Sequence, residues 1–119
     1  MKKIIIPLFV LFLSISVFSQ SENDYKNSLD FVSKSYNEQK PSLIHQKFST
    51  NLKKELPEEV FKKMIDDLYK EKGKTSHYEF LMEEENEKNY LVDFENGSML
   101  LIFFLSEENK ISAFKITEY

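Results

Sequence analysis

The 119-residue sequence predicts an α+β fold: three N-terminal helices packed on one face of a four-stranded antiparallel meander sheet. Three observations predict it. Apolar residues recur at helical spacing as far as Gly73. Beyond Gly73 they alternate with polar residues, which is the period of a strand. Between two such alternating runs lies Asn96-Gly97, whose residues tolerate the positive φ of a tight hairpin turn.

The first helix is read from Tyr25, Leu29, Val32 and Tyr36, one stripe at i, i+4, i+7 and i+11, with Asp24, Lys26, Lys34 and Glu38 facing outward. Pro41 ends this helix or begins the next. A short second helix carries Leu43, Ile44, His45 and Phe48 and fades into Ser49-Thr50-Asn51. The third starts at Pro57, with Glu58 and Glu59 complementing its positive end, although Leu56 offers no side-chain cap. Val60, Phe61, Met64, Ile65, Leu68 and Tyr69 form its expected buried face, and Gly73 is its expected stop.

In the strands, Tyr78, Phe80 and Met82 alternate with His77, Glu79 and Glu83, and Tyr90, Val92 and Phe94 alternate with Leu91, Asp93 and Glu95. A two-residue turn centred on Asn96-Gly97 sets Phe94 opposite Met99, Val92 opposite Leu101 and Tyr90 opposite Phe103. A second hairpin turning at Glu107 to Lys110 brings Phe114 and Ile116 beside Phe103 and Leu101.

The strand Met99 to Leu105 does not alternate and is apolar on both faces. Its second face groups Leu100, Ile102 and Phe104 with Leu91 and Leu81, rimmed by Asp93, Glu95 and Lys115. A wet face of this kind is a site of association. Two explanations stand side by side: a loop or the chain ends cover the stripe, or two copies pair sheet against sheet as a homodimer.

Composition narrows the function classes. An apolar fraction of 41% with 14% aromatics suffices for one packed domain. All 16 basic residues are Lys, so the bidentate fork of Arg is absent. Without residues 1–19, 14 Lys face 20 Asp and Glu, a net charge of −6, which argues against a nucleic-acid partner. Cysteine is absent, which removes disulfides, thiolate catalysis, Cys-based zinc sites and the usual lipid attachment point.

Residues 1–19 read as a signal peptide. Lys2 and Lys3 are the positive end, Ile4 to Leu13 the apolar run, and Val17 and Ser19 the small residues before a cleavage that leaves Gln20 first. The apolar stretch is short of the roughly 20 residues a membrane span needs. Residues 20–119 are then a single exported domain, periplasmic or secreted, with no membrane span after cleavage.

Two stretches carry a resemblance. One runs from Lys47-Phe48 through Leu52-Lys53-Lys54 to Leu56-Pro57-Glu58-Glu59-Val60-Phe61-Lys62-Lys63, the other from Glu95-Asn96-Gly97-Ser98 to Glu108-Asn109-Lys110-Ile111-Ser112-Ala113-Phe114. With the helix-then-meander order they resemble a secreted bacterial domain of unknown function in the nuclear-transport-factor-2-like, cystatin-like superfamily. That domain is often found ahead of serine-hydrolase or α/β-hydrolase domains. The resemblance implies a cone-shaped fold with a pocket between sheet and helices and carries over no catalytic residue. Asn109 stands where that branch commonly has glycine.

Tyr36, His45, Phe48, Phe61, Tyr69, Tyr78 and Tyr90 are the residues expected near such a pocket. His45 could serve as a general base, although a lone His on a short helix is more often surface or packing. The inward strand positions carry no Asp or Glu in this reading. Two His are too few for a metal site, Glu83, Glu84, Glu85 and Glu87 lack the spacing of a calcium loop, and two glycines make no phosphate cradle. No cofactor and no metal is expected. The leading expectation is a non-catalytic binding module, engaging itself or an envelope protein, with a small apolar ligand in the cone as an added role. The alternative is a lyase- or isomerase-type pocket enzyme using His45 and a Tyr.

Overall fold

The computed structural model describes residues 21–85 and 87–119, so the expected cleavage site at Ser19 and Gln20 lies outside the described residues. The chain order is α1 (Glu22–Asn37), α2 (Pro41–His45), α3 (Thr50–Glu55), α4 (Glu58–Lys72), β1 (Thr75–Glu84), β2 (Glu87–Phe94), β3 (Gly97–Leu105) and β4 (Ile111–Glu118). The strands form one antiparallel sheet in the order β1-β2-β3-β4. The α+β class and the meander are as the sequence predicts. Among the described residues the α-helices number four, where the sequence predicts three.

The additional helix, α3, occupies the segment read as a fade-out. Ser49 is its N-cap and its Oγ accepts from Leu52 N at 3.2 Å, so the Ser-Thr-Asn run starts a helix instead of ending one. The same junction is tied to the sheet, because Ser49 N donates to Ile111 O at 2.8 Å and Ile111 N to Lys47 O at 2.7 Å.

Helix α1 begins with a capping box: Ser21 Oγ accepts from Asp24 N while Ser21 N donates to Asp24 Oδ2, each at 3.1 Å. It ends in a paired turn, Lys40 N donating to Ser35 O at 2.8 Å and Gln39 N to Tyr36 O at 2.9 Å. This closure holds Gln39 at φ 60, a position that suits glycine. Pro41 then opens α2. Gln39→Gly is expected to raise stability by about 0.5 kcal/mol, the relief of left-handed strain being partly offset by a freer unfolded chain. A higher urea midpoint with an unchanged slope would register it.

The core lies between the helices and one face of the sheet. Tyr25, Leu29, Val32 and Tyr36 of α1 and Phe61, Ile65 and Leu68 of α4 meet Tyr90, Val92, Phe94, Met99, Leu101, Phe103, Leu105 and Phe114. Val60 departs from the expected face. It is 55% exposed, while Phe61, one position on, is fully buried.

The β2–β3 register is offset by two residues from the expected one: Phe94 pairs with Gly97, Val92 with Met99 and Tyr90 with Leu101. The turn residues are Glu95 and Asn96 rather than Asn96 and Gly97. The cause is tertiary. Glu95 N donates to Lys74 O at 3.0 Å and Asn96 N to Lys72 O at 2.9 Å, which docks the turn on the end of α4. Gly97, at φ 128, absorbs the strand entry. An even offset preserves faces, so the inner and outer sets of β2 and β3 stay as read. Phe114 opposite Phe103 and Ile116 opposite Leu101 match the expectation.

Strand β1 differs more. A register irregularity between Phe80 and Met82 makes Leu81 a bulge. Met82 then pairs with Asn89 on the outer face and is 52% exposed, and Glu83 pairs with Lys88. Phe80 is 51% exposed at the edge of the sheet.

Candidate functional site

The residues expected to share one pocket occupy three places. His45, Phe48 and Phe61 form an aromatic cluster beneath α2, with ring centroids 4.8 Å from His45 to Phe48, 5.9 Å from His45 to Phe61 and 4.9 Å from Phe48 to Phe61. His45 is buried, and its Nε2 lies 2.8 Å from Leu56 O, to which it donates. This bond joins α2 to the end of α3. It gives the ring a structural task.

Tyr36 and Tyr69 pack edge to face at 5.5 Å, and Tyr36 meets Phe94 at the same distance. The Tyr36 hydroxyl donates to Gly73 O at 2.8 Å, closing the α4–β1 junction. Burial, reinforced by Tyr69 and by the charge of Glu95, pushes this hydroxyl well above the ordinary tyrosine range.

The interior between sheet and helices is filled. A void of about 40 Å³ remains among Leu29, Val32, Ile65, Val92, Leu101 and Phe114. A space near the size of one water molecule and walled by apolar groups holds no ligand.

Tyr78 and Tyr90 belong elsewhere. They line an open groove of about 870 Å³ between α1 and β1, whose aromatic surface is completed by Tyr25 and Phe80. Successive turns of α1 present Glu22, Tyr25, Lys26, Asp30 and Asn37 to it, the i, i+4 repeat of a helix facing a strand. Asn37 closes one end: its Oδ1 accepts from Thr75 N at 2.8 Å and its Nδ2 donates to Thr75 O at 3.1 Å. Along the wall, Lys26 Nζ donates to Asp30 Oδ2 at 2.8 Å and the Tyr78 hydroxyl to Asp30 Oδ1 at 2.7 Å. These bonds from Lys26 and then Tyr78 hold the Asp30 carboxyl below its usual range.

Lys88 enters the groove from β2. Its Nζ sits 4.0 Å from the centroid of the Tyr25 ring and 5.8 Å from that of Phe80. Phe80 and Tyr78 each meet Tyr90 edge to face, at 5.6 and 6.1 Å. The bulge at Leu81 turns Glu83 to this side, although strict alternation had placed no acid on the inner face. Burial first, then Tyr25 and the negative charges of Glu83 and Glu22, pushes the Tyr90 hydroxyl up to about 12. Tyr25 is raised by burial too, while its oxygen accepts from Leu105 N at 3.0 Å.

Four tyrosines, at 25, 36, 78 and 90, are thus harder to ionise folded than at their ordinary value of 10.0. A folded value above the unfolded one means the folded chain keeps protons that the unfolded chain releases. This stability is fully present below pH 10 and is lost as pH rises toward about 12, where Tyr90 itself ionises in the fold. Urea titrations at pH 8 and 11 should show the decline. An unchanged free energy would contradict these placements.

Sequence alternation pointed to Tyr78 and Tyr90 but missed Tyr25, Glu83 and Lys88 as groove residues. Lys88 was within reach, since it shares the phase of Tyr90 and Val92. Glu83 was not, because the bulge reverses its face. Among the described residues no group of three or more His, Asp or Glu side chains could hold a metal ion, and no helix is long and apolar enough to cross a membrane. No protein-family model, curated protein or solved structure matches this chain.

Proposed function

We propose that this chain is an exported, non-catalytic interaction module that pairs with a second copy of itself through the outer face of its sheet. The observation that carries the reading is the alternation in β3. Met99, Leu101, Phe103 and Leu105 are buried against the helices, while Leu100, Ile102 and Phe104 between them are only half-buried. Leu91 and Met82 extend this second stripe across β2 and β1, and Leu81 borders it at the bulge. Phe104 also reaches the core, its ring lying 6.4 Å from that of Tyr25.

Charge placement favours a second copy as the occupant. Register sets Glu79, Glu84 and Glu87 along the β1–β2 side of this face and Lys115, opposite Ile102, on the β4 side. A two-fold axis parallel to the strands brings the β4 side of one copy over the β1 side of the other, lysine against glutamates. Of the expected rim, Glu95 is absent, because its Oε1 accepts from Lys74 N at 2.9 Å beside α4. Asp93 accepts from Ser98 Oγ at 2.7 Å. Four strands about 4.8 Å apart and roughly 25 Å long offer about 500 Å² per copy, about 1,000 Å² for the pair. That is the lower end for a specific interface, so the pair is expected to be reversible.

The reading without catalysis is supported by the engagement of the His45 imidazole and the Tyr25, Tyr36 and Tyr78 hydroxyls in structural bonds. Export is supported by the Lys2-Lys3 start, the apolar run and the small residues up to Ser19. Light-scattering mass across micromolar concentrations is the test. A shift from monomer toward dimer is expected, and Ile102→Lys should hold the chain monomeric with its helix and strand content unchanged. A strict monomer, or a dimer indifferent to Ile102→Lys, would remove the proposal.

A further inference from the structure

We propose that the groove between α1 and β1 is a binding site for small quaternary ammonium cations. Recognition of such ions rests on the negative faces of several aromatic rings gathered in one place, with anionic groups at the margin. The groove supplies both: Phe80 and Tyr78 present accessible ring surface, the largely buried Tyr25 and Tyr90 rings back them, and Glu22 and Glu83 line the same groove.

The second, independent observation is that the rings already accept a cation. Lys88 Nζ lies over Tyr25 at 4.0 Å with Phe80 at 5.8 Å, an ammonium held by two of the rings. Its register partner is Glu83, which adds negative potential beside the same rings. Lysine is a compact, strongly hydrated charge on a flexible four-carbon stem. A quaternary ammonium is less hydrated and covers more ring surface, so it is the better occupant once the lysine head swings into solvent.

The geometry disfavours other ligand classes. An anion would meet Glu22, Glu83 and Asp30, with Lys26 already paired to Asp30 at 2.8 Å. A neutral apolar ligand would lie against charged walls in an open groove. Exposed Phe80 is accounted for by the same reading, since a ring 51% exposed at the strand edge forms one side of the cage. The site is on the helix side of the sheet, opposite the face assigned to self-association, so the two stand or fall separately.

The test is titration of the purified protein with choline chloride, read by NMR on the aromatic rings. The uncharged isostere 3,3-dimethylbutan-1-ol and matched sodium chloride serve as controls. Saturable shifts of Tyr25, Tyr78, Phe80 and Tyr90 are expected with choline alone, at millimolar concentration. Lys88→Gln, which removes the internal competitor, should tighten binding roughly threefold. Phe80→Ala should weaken it by a similar factor, and Phe80→Tyr should restore it. Both sites are accessible, and circular dichroism will verify that each variant is folded. An equal response to the neutral isostere, a response matched by sodium chloride, or affinity unchanged or weakened in Lys88→Gln would overturn the proposal.

Discussion

Phe61→Ala is expected to cost about 3–5 kcal/mol and leave the domain at the margin of folding. Phe61 is fully buried. Its ring packs edge to face on Phe48 at 4.9 Å and on Phe114 at 5.3 Å, so α4, the α2–α3 connection and β4 all meet on it. Phe48 is held beside Ile111 by the flanking backbone bonds of Lys47 and Ser49, which limits collapse into the space. With no cysteine, the chain has no covalent link to share the load. Urea unfolding should show most of the free energy gone, while Phe61→Leu retains the larger part. A loss below 1 kcal/mol in Phe61→Ala would mean that the three elements do not converge there.

The second large effect is expected at Gly73, where α4 gives way to β1. Its φ of 80 and ψ of −158 place it in a region that glycine alone occupies freely. A Cβ there would collide with the Glu95 carboxylate. That carboxylate accepts from Lys74 N, and Gly73 O accepts from the Tyr36 hydroxyl. Gly73→Ala therefore strains the backbone and disturbs two hydrogen bonds, at an expected cost of about 2–3 kcal/mol. A substitution with less than 0.5 kcal/mol effect would show the junction to be free to relax. Glu95→Gly beside it separates the two causes: it removes the whole side chain that an added Cβ would meet and leaves the backbone strain.

Much of this fold is legible in the sequence. The stripes of α1 and α4 and the alternation of β2 and β4 follow from periodicity, because a packed face imposes its own repeat on the sequence. Hydrogen bonds made at a distance were not legible. The β2–β3 turn moved by two residues because the N–H groups of Glu95 and Asn96 found carbonyl partners at the end of α4. Local turn preference could not reveal that partner. The bulge at Leu81 is a similar case. Three successive apolar residues, Phe80-Leu81-Met82, break alternation and hint at an irregularity, yet which of them leaves the ladder is decided by β2. On that choice depends the face of Glu83, and so the character of the groove. For His45 the sequence favours a surface or packing residue over a base, and the structure buries it, but the Leu56 carbonyl that holds it could not be named from sequence. The comparisons add no residue roles, so the functional reading rests on the two faces of the sheet.

The most direct test of the paired-sheet account is an NMR dilution series of the purified protein with assigned amide signals. The account predicts concentration-dependent shifts at Leu91, Leu100, Ile102 and neighbouring Lys115, with the core-facing Met99, Leu101 and Phe103 following only weakly. Shifts confined to α1 and the groove, or none over a hundredfold dilution from about 1 mM, would contradict it.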